Sequence, residues 1–275
     1  MLVIGSYNEL VVERQVDFGY YLGTGEDEVL IPSKYVLPGM AIGDRIRVFI
    51  YTDSEDRPIA TTLTPNGVVG DMVPMTVKDV TPIGAFMDWG LEKDLLVPLG
   101  EQQYPMTVGR QYVVMILLDE ATRRVYASSR IADHLLGNPG WFSPGDAISL
   151  LVYDVMDTGF LCVVNGTTPG MLNRSETYED LAPGDRREGY ISRVREDAKL
   201  NLTLKKPGYS SVPDSSRKII DALKQDGGFI PCHDKSSPEV IKARFAMSKK
   251  EFKRAIGGLY KKGLIRIEET GIRLK

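Results

Sequence analysis

Side chains able to do covalent or metal chemistry are few and scattered in this chain. His134 and His233 each stand apart from any acid-base partner, and Cys162 and Cys232 are the only cysteines, far apart and without C-x-x-C spacing. Cys232 adjoins His233, but the pair reads as loop neighbours rather than as a ligand or nucleophile set. Glu26, Asp27 and Glu28 cluster in a polar turn, where carboxylates are ordinarily solvated. Neither a phosphate-cradling glycine loop nor a Ser-His-Asp order is present. No catalytic residue, metal, cofactor or small-molecule substrate is therefore expected. What remains is stacking and charge. Phe18, Tyr21, Phe86 and Phe160 flank a recurring glycine, and Trp89 follows in a turn. A ring on an open strand face stacks a nucleobase for about 1–3 kcal/mol without reading its identity. Tyr21, Phe86 and Phe160 fit equally well as core filling, whereas Trp89 is expected to be the better exposed, although it could equally cover a neighbouring repeat. The cations that stand out are Arg193, Arg195, Lys205 and Lys206, then Lys249, Lys250, Lys253 and Arg254.

The elements that must position these residues repeat three times. Gly19, Gly84 and Gly159 anchor the segments FGYYLGTGEDEVLIP, IGAFMDWGLEKDLLVP and TGFLCVVNGTTPGML. Each is followed by a second glycine (Gly43, Gly109, Gly184), then by a strand-rich run and a charged turn. Short alternating runs separated by turns predict five strands per copy, which fits a small closed barrel of the OB type. The copies are placed at residues 1–65, 66–138 and 139–207, with the linker that carries GNPG, residues 131–140, between the second and the third. Beyond them, the linker KKPGYSSVPDSS precedes a switch from a period of 2 to one of 3.6. Residues 208–275 predict three helices and a terminal hairpin, the winged-helix layout, with caps at Ser237 and Ser248. The fold class is thus mainly β and multidomain, three tandem OB barrels followed by an α+β winged helix. Gly257 and Gly258, inside the third helix, are expected to accommodate a close approach, with the wing or first helix as the candidate neighbour.

The net charge of -3 conceals a gradient. The balance runs -5, -3, -2 and +7 over the four segments, so a polyanion is expected mainly at the C-terminal end. No apolar run approaches the roughly 18 residues of a membrane span, and the N-terminus lacks a basic region followed by an apolar core, which predicts a cytoplasmic protein.

Around Gly84-Ala85-Phe86, the order of strand, G-A-F, L-V-P, V-G and charged turn resembles the RNA-binding repeat of ribosomal protein S-one. That family has one aromatic before the glycine, a second two residues after it, and a histidine closing the apolar triplet. The resemblance assigns these aromatic positions to Phe18 and Tyr21, to Ile83 and Phe86, and to Thr158 and Leu161, with Pro32, Pro98 and Leu172 where the histidine would stand. Three such repeats followed by FKRAIGGLYKKGLIRI resemble the conserved virulence factor B family of bacterial RNA-binding regulators. The resemblance implies binding of RNA, single-stranded RNA favoured, by barrels and winged helix together, with effects on gene expression and no catalysis. Two other classes stay open. A DNA-binding regulator would lay the third helix in a major groove, usually as a dimer, and no dimerisation heptad is visible. A scaffold docked on ribosome or polymerase would use the acidic barrels as protein surfaces.

Overall fold

The computed structural model describes residues 2–25, 27–177, 179–197, 199–205 and 214–275. Glu26, Lys206 and most of the Pro/Gly/Ser linker lie outside them. The chain forms two compact units, Met1–Leu204 and Lys205–Lys275.

In the first unit the same five-strand plan occurs three times. β1 (Ser6–Val16), β2 (Gly19–Gly23), β3 (Glu28–Pro32), β4 (Arg45–Thr52) and β5 (Pro58–Thr61) close a barrel in the order β1-β2-β3-β5-β4. The second set comprises β6 (Met72–Thr81), β7 (Gly84–Met87), β8 (Leu95–Pro98), β9 (Gln111–Asp119) and β10 (Arg124–Ser128). It keeps the order, but β8 and β10 lie side by side without a hydrogen-bonded ladder among the described residues. After a short helix α1 (Ile131–His134), β11 (Ala147–Met156), β12 (Gly159–Val164), β13 (Thr168–Asn173), β14 (Arg186–Val194) and β15 (Leu200–Thr203) close again.

The repeated glycines are explained by backbone sterics. Gly19, Gly84 and Gly159 begin the second strand of each barrel at φ of +152°, +152° and +159°. A Cβ there would lie 2.1–2.2 Å from the carbonyl oxygens of Ile31, Val97 and Leu172, so only glycine fits. The later glycines hold a bulge. The first strand of each barrel slips register after Val12, Val77 and Val152. The amides of Gly43, Gly109 and Gly184 donate to the carbonyls of those valines at 2.8 Å in all three copies. The bulge bends the strand enough to let five strands curl shut.

Adjacent barrels share apolar material. Phe49 and Tyr51, on β4 of the first barrel, are buried in the core of the second together with Val77, Met87, Leu95 and Ile116. Trp89 sits between them and is only 2% exposed, its ring edge-on to Phe49 at 5.6 Å and to Tyr51 at 6.2 Å. Its Nε1 donates to the carbonyl of Gly67 at 3.0 Å. The expected exposed ring is therefore corrected: Trp89 covers a neighbouring repeat, because β4 of the first barrel offers it two aromatic faces. Between the second and third barrels, Met72, Val113, Ile131, Leu151 and Val163 form a smaller cluster, and Arg186 donates to the carbonyl of Met72 at 3.1 Å.

The second unit is a winged helix. It runs α2 (Asp214–Gln225), β16 (Phe229–Ile230), α3 (Pro238–Phe245), α4 (Lys249–Lys261), β17 (Ile265–Ile267) and β18 (Ile272–Leu274), with strand order β16-β18-β17. The two-residue β16 is an addition to the hairpin expected. Ser237 accepts from the amide of Val240 at 3.4 Å and Ser248 from that of Glu251 at 3.2 Å, so both capped starts are present. Ile219, Leu223, Ile241, Phe252, Ile256 and Leu259 fill the core. No neighbour fills the space beside Gly257 or Gly258: a Cβ at either would meet nothing within 4 Å. The expected packing partner is absent from the described residues because both glycines lie away from the stripe that faces α2 and the sheet.

Candidate nucleic-acid interface

Strand alternation decides which aromatic of each repeat reaches the surface. Leu22, Met87 and Cys162 point inward at 0% exposure, so Tyr21, Phe86 and Leu161, one residue earlier, point outward. Two residues before those inward positions lie Tyr20, Ala85 and Phe160, again on the core side. Phe160, 1% exposed, is thus core filling and not a stacking platform, which corrects its place among the site residues.

The outward residues line up across each barrel. In the first, Tyr21 is registered with Arg14 on β1 and Leu30 on β3. In the second, Phe86 is registered with Asp79 and Leu96; in the third, Leu161 with Asp154 and Met171. Leu30 continues to Ile59 on β5, and Met171 to Asn201 on β15. The matching position on β10 is Tyr126, which precedes the buried Ala127 as Ile59 precedes Ala60.

The three rows differ in chemistry. In the first barrel, Arg14 lies over the Tyr21 ring at 3.6 Å and holds Glu28 through two bonds of 3.2 and 2.9 Å. The bond to Glu28 raises the Arg14 pKa above its ordinary value, so the guanidinium stays charged. Phe18, at the β1–β2 turn, is 58% exposed. Ile59 is half-buried and Tyr51 buried against the second barrel, so this row is open only at its β1–β3 end. In the second barrel the three residues of the row are half-buried but face a common open groove. Phe86, Leu96 and Tyr126 line a groove of about 570 Å³ with Ile83 and Pro98. Burial pushes the Tyr126 hydroxyl pKa up, aided by the charges of Glu101 and Asp119, which keeps the ring neutral. The third barrel presents Leu161 and Met171 in place of rings. Its polar cleft of about 480 Å³ is lined by Arg193, Arg195, Glu196, Asp197 and Asn201. Arg193 is exposed and stands opposite Asn201, whereas Arg195 is tied to Asp197 at 3.0 Å. Lys205 is half-buried at the start of the second unit, and Lys206 lies outside the described residues.

On α4, the 3.6-residue repeat gathers Lys250, Lys253, Arg254, Gly257 and Lys261 on one face, with Tyr260 at its edge and 58% exposed. Among the described residues, no ion pair engages those four cations. Lys249 turns aside and reaches the carbonyl of Lys235 at 3.5 Å. Tyr126 and Arg14 were not among the sequence-expected site residues. Aligning RVYAS with PIAT and LNLT, and pairing the first strand with the second, would have found both. Among the described residues no His, Cys, Asp and Glu grouping suits a metal ion, and no helix is long and apolar enough to cross a membrane.

Comparison with known proteins agrees with this layout. Residues 217–274 match the family model of the CvfB-like winged helix domain, and residues 4–63 match that of the S1 domain. Both are nucleic-acid-binding domain types. A Bacillus subtilis (strain 168) protein, Uncharacterized protein YitL, is 29% identical over 97% of this chain and 92% of its own length. Conserved virulence factor B of Staphylococcus epidermidis is 28% identical over 99% of this chain and 95% of that protein. A solved structure described as a multidomain protein with nucleic acid binding domains, from Streptococcus pneumoniae TIGR4, is 25% identical over 99% of this chain and 98% of that one, with a TM-score of 0.42.

Proposed function

Because this chain is a relative of the conserved virulence factor B proteins, with an S1 domain at one end and a CvfB-like winged helix domain at the other, we propose that it is a non-catalytic RNA-binding protein that regulates gene expression after transcription. The observation that supports this best is the outward row Phe86, Leu96 and Tyr126 in an open groove. Two rings on either side of an aliphatic floor suit unpaired bases and not the stacked interior of a duplex. The cationic face of α4 supplies the backbone attraction that the acidic barrels lack. Arg193 and Arg195, beside the third barrel's cleft, would add to it, and Phe18 and Tyr21 would extend the stacking surface. The protein would act in the cytoplasm, where RNA is available to it.

The test is a titration with matched single-stranded RNA, single-stranded DNA and duplex DNA at two salt concentrations. Single-stranded RNA should bind most tightly and remain uncut. Phe86→Ala with Tyr126→Ala should weaken binding by about 2 kcal/mol, roughly 30-fold, with little change of salt slope, since stacking releases few counterions. Lys250, Lys253 and Arg254 replaced by glutamine should instead lower the slope by about 0.7 for each phosphate no longer neutralised. Tighter binding of duplex DNA would overturn the reading in favour of α4 in a major groove.

A further inference from the structure

The groove of the second barrel has a wall that comes from the first. The β4–β5 turn, Asp53 to Arg57, is tightly built: Asp53 accepts from the amides of Glu55 at 2.9 Å and Arg57 at 3.0 Å, and the amide of Asp56 donates to the carbonyl of Asp53 at 3.1 Å. This sets Asp56 in the left-handed region, at φ +62°, with its carboxylate turned into the groove. There it is paired with Arg124, and lies 3.7 Å from the Nζ of Lys93. Lys93 also donates to the carbonyl of Asp53 at 2.7 Å and to Oγ1 of Thr52 at 3.3 Å. Both cations line the same groove as Phe86, Leu96 and Tyr126.

Two cations beside a stacking floor make the arrangement that a nucleic-acid backbone needs, because a base on the rings brings its phosphate to the rim. The groove's other carboxylates are engaged elsewhere. Asp94 holds Lys78 at 2.7 Å, Glu101 holds His134 at 3.0 Å, and Asp119 is turned back on Thr122 and the amide of Ala121 at 2.8 and 2.9 Å. Asp56 alone among the four takes both groove cations. The Asp56 and Arg124 side chains are 36% and 58% exposed, so their ion pair is weak and exchangeable.

We propose that Arg124 and Lys93 form a phosphate subsite at the mouth of the second-barrel groove, and that Asp56 of the first barrel occupies it until an RNA phosphate displaces the carboxylate. This rests on the RNA-binding reading above and adds to it a residue that lowers affinity. Asp56 thereby acts as an internal competitor, favouring strands whose bases stack well enough to carry a phosphate into the subsite.

The test replaces Asp56 with asparagine, which tolerates the left-handed backbone and keeps the side-chain size. Glu55→Gln in the same turn is the control, since it removes the same charge from a carboxylate paired with Arg57 outside the groove. D56N should bind single-stranded RNA about fivefold more tightly, the upper end of what release of an exposed ion pair allows. Its salt slope should steepen by about 0.7–1.4, as expected for one or two more phosphates neutralised. E55Q should stay within about twofold of the parent, the residue of a general charge effect. Adding Lys93→Gln and Arg124→Gln to D56N should remove the gain. The proposal is overturned if D56N binds no more tightly than E55Q, or if its gain survives loss of both cations. Phe86→Ala with Tyr126→Ala is read in parallel: weakened binding there with an unchanged D56N sinks the competitor alone, and no effect in either sinks the groove as the RNA site.

Discussion

Replacing Gly257 with alanine should stabilise the winged helix while weakening the RNA contact proposed for α4. In an α-helix interior, glycine costs about 0.8–1.0 kcal/mol relative to alanine through backbone entropy. Ordinarily that cost is offset by a neighbour that needs the space, but a Cβ at Gly257 meets nothing within 4 Å. The full gain of about 1 kcal/mol should therefore appear, a rise of roughly 4–8 °C in the melting of a domain of this size. The two units can be followed separately. Both tryptophans, Trp89 and Trp141, lie in the first unit, whereas α2, α3 and α4 carry nearly all the helical signal. Circular dichroism at 222 nm should report the raised transition, and tryptophan fluorescence should not move. Because Gly257 lies among Lys250, Lys253, Arg254 and Lys261, an added methyl group would stand in the path of a backbone seated on that face. An unchanged or lowered helical transition would refute the reasoning, since it would mean that something packs on the glycine.

Three more outcomes follow from buried side chains. Trp89→Ala should destabilise the first unit by about 3–5 kcal/mol in denaturant titrations followed by strand dichroism, whereas Trp89→Phe should cost nearer 1 kcal/mol for the missing bond to Gly67; a cost under about 1 kcal/mol for the alanine variant would show that the shared core does not depend on this ring. Burial pushes the Cys162 thiol from 9.0 up to about 12, so the native protein should resist iodoacetamide at pH 8.5 and react only once unfolded, and rapid native alkylation would contradict the buried placement. A pKa raised on folding gives stability that is complete below the unfolded value and drains as pH climbs towards the folded one. Stability should therefore fall between about pH 9 and 12, less steeply in Cys162→Ala, with the remaining slope shared by Tyr153, which burial raises from 10.0 to about 12, and by Tyr35, Tyr51 and Tyr126, which burial also raises.

Features dictated by the local backbone were legible before any fold was seen. Gly19, Gly84 and Gly159 had to be glycine because a carbonyl lies 2.1–2.2 Å from where a Cβ would be, and such demands recur with the strand plan whatever else drifts. The caps at Ser237 and Ser248 and the apolar stripe of α4 are likewise contained within a few residues of chain. Trp89 was misplaced because its burial depends on Phe49 and Tyr51, some forty residues away in another barrel, which no local pattern encodes. Tyr126 was overlooked for a related reason: it lies on the last strand, and only the side-by-side placement of β8 and β10, the counterpart of the parallel third-to-fifth pairing in the other two barrels, brings it beside Leu96. Phe160 was decidable by alternation, since the outward residue is the one two places after each anchor glycine, and it stands one place after.

The shared core of the first two barrels also constrains how the chain is made. When residues 1–65 have left the ribosome, β1 to β5 are all present, yet Phe49, Tyr51, Tyr7 and Ile59 have no cover until Trp89 and Leu91 follow. At about 5–20 residues per second, that leaves an apolar patch open for a few seconds in every round of synthesis. A shortened chain ending before Trp89 would keep it open permanently and should self-associate, so the smallest self-sufficient piece of this protein at its N-terminal end is a pair of barrels.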